Sequence, residues 1–125
     1  MGAVIDSFDA VIRLKRGNPA ADSRNWGSRT DILCARSPRF DKGRYPFWLL
    51  DGKFYDHKPF KPTTGICAVV EAKRRLNPKE IFLIGFDRLM HPEIEDPPCT
   101  WLAHDKWYEH AMLVAMGVKE LEQIC

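Results

Sequence analysis

Hydrophobic and polar positions change period several times along this chain, and the clearest change lies in its middle. After Pro62 the run Thr-Thr-Gly-Ile-Cys-Ala-Val-Val-Glu-Ala-Lys-Arg-Arg-Leu places Ile66, Val69, Ala72 and Leu76 at helical spacing. Glu71, Arg74 and Arg75 take the wet side. Thr63 or Thr64 caps the start of this helix. Lys73, Arg74 and Arg75 fall in its last turn, where the helix dipole favours cations, and Asn77-Pro78 stops it. Ile81-Phe-Leu-Ile84 follows as an unbroken apolar run, which suits a strand covered on both faces, as in a parallel sheet. Helix into buried strand is half of an α/β unit.

Upstream, residues 1–9 are short and mixed. Ala10–Leu14 reads as a strand rich in β-branched residues, and Lys15–Pro19 as a turn. A polar loop over 20–30 leads to a second strand at Asp31–Cys34. Ala35–Arg44 is basic and irregular, Tyr45–Leu50 is a third strand, and Asp51-Gly52 a turn. Phe54–Lys61 reads as an ordered loop, and the prolines of 88–103 predict a long loop, a length often tied to function. The last helix is expected over Asp105–Met116, capped by Asp105 and ended by Gly117. Trp107, Tyr108, Ala111, Met112, Val114 and Ala115 lie on its apolar side. Val118–Cys125 reads equally as a terminal strand or a frayed tail.

A chain of 125 residues, 45% hydrophobic and 29% charged, suits one globular domain. Its net charge of +2 does not by itself call for a polyanionic partner. The cations are nonetheless concentrated in the first half, from Arg13 to Arg44, and acids gather around Glu93–Asp96. The four cysteines form no Cys-x-x-Cys pair and no cluster with histidine, so no metal site is expected, and Cys34 and Cys67 read as buried thiols. With no apolar span and no signal-peptide pattern, a cytoplasmic protein without a membrane segment is expected.

Candidate chemistry sits at two helix starts. Thr63-Thr64-Gly65 offers small hydroxyl residues and close-approach backbone where free N–H groups and a positive dipole end suit a phosphate or carboxylate. The same residues equally suit a plain capped helix. His104 precedes the last helix, where the dipole disfavours the imidazolium, and a neutral imidazole is a competent general base. Glu109, five residues on, orients the ring or a substrate hydroxyl, or simply complements the dipole. His57 and His91 are loop histidines with weaker claims, and Asp51 and Asp56 a carboxylate pair of undefined geometry. Phe47, Trp48, Phe54, Tyr55 and Phe60 lie near basic residues and suit stacking on a nucleic acid, but core and loop packing explains them more simply. We therefore do not expect a nucleic-acid partner.

Three ordered stretches resemble a known family. Ile5-Asp-Ser-Phe-Asp-Ala-Val-Ile-Arg-Leu-Lys-Arg-Gly-Asn18 followed by Trp26-Gly-Ser-Arg-Thr-Asp-Ile-Leu-Cys34 resembles the later part of the large sialyl motif of the eukaryotic-type sialyltransferases. Pro62-Thr-Thr-Gly65 through Ile84-Gly-Phe86 resembles the small motif, and His104-x-x-x-x-Glu109 the very small motif. Together they span about half the chain, and their order makes them more specific than any one alone. The resemblance implies an α/β, Rossmann-like fold with a mostly parallel sheet flanked by helices. It also implies transfer of a sugar, sialic acid in the family, from a CMP-activated donor to a glycan hydroxyl. That transfer is a metal-independent inverting displacement with no cofactor.

His104 would be the base, with Glu109 beside it. Lys15, Thr63, Thr64, Gly65, Gly85, Phe86 and Asp87 would lie on the donor. Lys15 stands where the family usually has Asn; it suits a phosphate but cannot accept a hydrogen bond. The family's opening strand and Gly-Asn turn have no counterpart, so we expect a short or N-terminally truncated member lacking the first strand, in a bacterial or phage setting. Two other readings compete: a non-catalytic remnant that binds a nucleotide or a partner protein, and a small basic nucleic-acid-binding module.

Overall fold

The computed structural model describes residues 2–14, 27–94 and 103–121, and the protein is a small α/β chain with parallel strands in two small sheets. It divides into two compact units, Met1–Asp51 and Gly52–Glu122.

The first unit holds a short helix α1 (Gly2–Asp6) and strands β1 (Ile12–Leu14), β2 (Ile32–Ala35) and β3 (Phe47–Leu49). The mixed residues 1–9 thus contain a helical turn that no periodicity announced. The strands pair in parallel in the order β1-β2-β3, with Ile12 opposite Ile32 and Cys34 opposite Trp48. Central β2 is the most covered, since Leu33, Cys34 and Ala35 are all buried, as a strand with neighbours on both edges requires. A 3₁₀ turn at Pro38–Phe40, capped by Ser37, lies in the basic connection to β3.

Within the stretches read as resembling the large sialyl motif, Asp6, Arg29 and Asp31 form a polar clamp in this unit. The Asp6 carboxylate accepts from the backbone N–H of Ser28 (3.0 Å) and of Arg29 (3.0 Å), and these bonds hold its acidity below the ordinary carboxylate range. Arg29 donates to the carbonyls of Asp6 (3.1 Å), Phe8 and Asp9 (2.8 Å), and its Nε pairs with Asp31 at 3.0 Å. Asp31 in turn accepts from Val11 N–H at 2.6 Å, at the foot of β1. Gly27 has φ +73°, and a Cβ there would lie 2.4 Å from Asp6 Oδ1 and 2.9 Å from the Gly2 carbonyl, so only glycine fits. These residues act on the β1–β2 frame.

The second unit holds α2 (Thr64–Leu76), β4 (Phe82–Leu83), α3 (Asp87–Met90), α4 (Lys106–Ala115) and β5 (Lys119–Glu120). Thr63 is the N-cap of α2. Asn77 ends it in the left-handed conformation at φ 44°, before Pro78. The buried face of α2 is Ile66, Cys67, Ala68, Val69 and Ala72, and Glu71 on the other side pairs with Arg74 and Arg75. Leu76, read as part of the apolar face, is exposed because the helix has run past its cover. β4 pairs in parallel with β5, so the C-terminal segment that read as strand or tail holds a strand at Lys119–Glu120, and residues 122–125 lie outside the described set. The apolar run at 81–84 is covered less than expected. Leu83 alone is buried, because β5 is the only strand beside β4 among the described residues.

Two further expectations are corrected. The loop expected over 88–103 begins with α3, a short helix tied to α4 by His110 Nδ1 donating to the Leu89 carbonyl at 2.6 Å; residues 95–102 lie outside the described set. On α4, Trp107, Ala111, Val114 and Ala115 are exposed, and the buried positions are Glu109 and Leu113. A carboxylate has taken a core position.

Candidate functional site

The start of α2 and the start of α4 are stitched together within the second unit. Lys61 N–H donates to the Ala103 carbonyl at 2.8 Å, and the Lys61 carbonyl accepts from His104 Nδ1 at 2.6 Å. A carbonyl can only accept, so Nδ1 of His104 must carry a proton, and in the neutral ring Nε2 then holds the lone pair. Two residues further along, Thr63 Oγ1 donates to Glu109 Oε1 at 2.5 Å and Thr63 N–H donates to Glu109 Oε2 at 3.1 Å. The same Oγ1 accepts from Ile66 N–H at 3.3 Å as the helix cap.

Glu109 is therefore not placed to orient a substrate hydroxyl. It is 0% exposed, and both of its oxygens are engaged by Thr63. Burial raises its pKa, opposed by the two Thr63 bonds and the nearby His104. It acts as a buried strut that fixes the first turn of α2 against α4.

With Ile66 N–H taken by Thr63 Oγ1 and Cys67 N–H by the Thr63 carbonyl at 3.2 Å, the first two helical N–H groups, on Thr64 and Gly65, remain outside the cap bonds. They are the amides an anion would meet, at the positive end of a 13-residue helix. Phe86 lies over this turn: a Cβ on Gly65 would come within 2.7 Å of Phe86 Cε2. The turn after β4 is made by exposed Gly85 at φ +77°, and Asp87 opens α3. Thr63 thus meets Glu109, His104 is tied to Lys61 two residues before Thr63, and Phe86 packs on Gly65, with Gly85 next to it in the chain. Lys15 lies outside the described residues.

A second group of residues surrounds the loop before Thr63. His57 Nε2 bonds Asp105 Oδ2 at 2.9 Å, and Asp105 Oδ1 accepts from Tyr108 N–H at 3.1 Å as the N-cap of α4. The His57 bond is the main cause of the lowered Asp105 pKa. The His57 ring stacks on Tyr108 (centroids 4.0 Å, 16°) and on Phe60 (5.2 Å, 19°). Tyr55 meets Tyr108 edge-on at 5.5 Å. The Tyr55 hydroxyl is buried and completes no hydrogen bond among the described residues. Burial, with the Glu109 and Asp105 carboxylates nearby, pushes its pKa up, so it stays protonated. No local pattern marks His57 as the partner of Asp105, because the two are joined by tertiary contact alone.

Among the described residues no group of three His, Cys, Asp or Glu side chains is arranged to hold a metal ion. Cys34 and Cys67 are buried. No helix among the described residues is long and apolar enough to cross a membrane. Compared with protein-family models, with curated proteins and with solved structures, the chain finds no match.

Proposed function

We propose that this chain is a glycosyltransferase of sialyltransferase type, built on a Rossmann-like α/β frame, that moves a sugar from a CMP-activated donor to an acceptor hydroxyl. The observation that carries this reading is the paired anchoring of one short segment. Lys61 fixes the His104 tautomer at 2.6 Å, and Thr63 grips Glu109 at 2.5 Å. Both bonds join the loop before α2 to the start of α4, the two segments that in this reading carry the amides and the base.

In this reading the phosphate of CMP sits at the N–H groups of Thr64 and Gly65, where the α2 dipole favours negative charge as the C–O bond to the sugar breaks. The acceptor oxygen attacks the anomeric carbon from the opposite face, and its proton passes to His104 Nε2. One base is sufficient, since the departing CMP is a stable anion. Glu109 and Thr63 hold geometry and take no proton. Phe86, packed over Gly65, supplies an apolar wall beside the phosphate.

The test is CMP release from a CMP-activated sialic acid in the presence of glycan acceptors, with CMP binding followed separately by calorimetry. His104→Ala should lower release on the order of a hundredfold to ten-thousandfold, the range for loss of a general base, while CMP binding persists. Equal release by wild type and variant removes His104 from the mechanism. Absence of both release and CMP binding rejects the reading.

A further inference from the structure

The imidazole of His104 is aimed by two anchors, one held by the His57 side chain and the other set on the loop that His57 begins. The first is the Lys61 carbonyl, which fixes Nδ1. Lys61 ends a tight loop that begins at His57, where the His57 carbonyl accepts from Phe60 N–H at 2.9 Å. The second anchor is the backbone at Asp105, the residue next to His104. Both carboxylate oxygens of Asp105 are engaged, one by Tyr108 N–H and the other by His57 Nε2. An ionised carboxylate only accepts, so His57 donates from Nε2. Its ring is held between Tyr108 and Phe60, at 4.0 Å and 5.2 Å.

We infer that His57 is a positioning residue for His104, holding the base in one tautomer and direction through Asp105 on one side and the 57–61 loop on the other. This rests on the reading of His104 as proton acceptor. A His–Asp pair that merely capped α4 would change stability and leave the reacting nitrogen where it is. A positioning pair changes the His104 ring itself.

Two variants separate the contacts. His57→Phe keeps a ring to stack and loses the donor to Asp105. His57→Gln keeps a donor and loses the stack. The probe is ¹⁵N NMR of histidine-labelled protein, with His104→Gln used to assign the His104 ring nitrogens, alongside steady-state CMP release. Wild type should show a protonated Nδ1 and a lone-pair Nε2 on His104. In His57→Phe these signals should move toward a mixture of tautomers. The kcat should fall on the order of tenfold to a hundredfold, the scale for misplacing a reacting group. KM should stay within about twofold, because ground-state binding is not touched. His57→Gln should recover most of both. Unchanged His104 nitrogens in His57→Phe overturn the inference, as does a loss carried by KM or one that Gln does not rescue. If wild type releases no CMP, that failure falls on the base reading, and the nitrogen signals alone decide whether His57 positions His104.

Discussion

Replacing Thr63 by valine keeps the shape of the side chain and deletes one hydroxyl that serves two partners. That hydroxyl donates to Glu109 Oε1 at 2.5 Å and accepts from Ile66 N–H at 3.3 Å. Loss of an N-cap oxygen costs about 1 kcal/mol. Loss of a hydrogen bond to a charged group costs about 1.5–3 kcal/mol when that group is buried, and Glu109 is 0% exposed. Thr63 N–H still reaches Oε2 at 3.1 Å, so the carboxylate keeps one partner. The two losses share an atom and are not fully additive, so roughly 2–4 kcal/mol is expected.

The cost should also depend on pH. The Glu109 carboxyl already titrates above its ordinary 4.5, because burial disfavours the charge. A raised carboxyl pKa means the folded state binds more protons than the unfolded state, so stability falls as pH rises from that value through the folded pKa. Thr63→Val removes a bond that favours the charged form and pushes the folded pKa higher still. The penalty should therefore be full at neutral pH and shrink toward the cap contribution of about 1 kcal/mol near the acid end, where the carboxyl is protonated. Urea unfolding followed by far-UV circular dichroism, which reports α2 and α4, measures it at both pH values. A loss under about 1 kcal/mol at neutral pH, or one independent of pH, refutes the Thr63–Glu109 strut.

Two further substitutions probe the frame and the helix start. Gly27→Ala would force a Cβ to 2.4 Å from Asp6 Oδ1 at φ +73°; about 2 kcal/mol or more should be lost from the first unit, and a neutral result in thermal or urea unfolding would refute the clamp around Asp6 and Arg29. Gly65→Ala gains helix propensity of up to about 1 kcal/mol but meets Phe86 at 2.7 Å, so it should destabilise alone and become stabilising in a Phe86→Leu background. A stabilised single variant would show that Phe86 does not press on this turn.

What the chain declares locally, it declares well. A cap at Thr63 or Thr64, the Asn77 stop before Pro78 and the Asp105 cap were all legible, and the structure places the first at Thr63. Each is a contact within one or two helical turns, and its energy depends on residues a few positions apart. The strand segments at 12–14, 32–35 and 47–49 were visible in β-branched and aromatic content, though their length and partners were not. α1 escaped because five residues are too few for a period to show.

Tertiary structure decided the rest, and α4 shows why. By periodicity its apolar side held Trp107 and Val114, yet these are 58% and 61% exposed while Glu109 is fully buried. Hydropathy ranks a carboxylate as a surface group, and it becomes a core group only because Thr63, 46 positions earlier, brings two donors to meet it. The same holds for His57 and Asp105, and for β4 finding β5 as a parallel partner. The amino-acid order by itself determined where α2 and α4 start and stop. Which polar side chains end up buried and which histidine nitrogen keeps its lone pair depend on donors and acceptors that only the folded chain brings within hydrogen-bond distance.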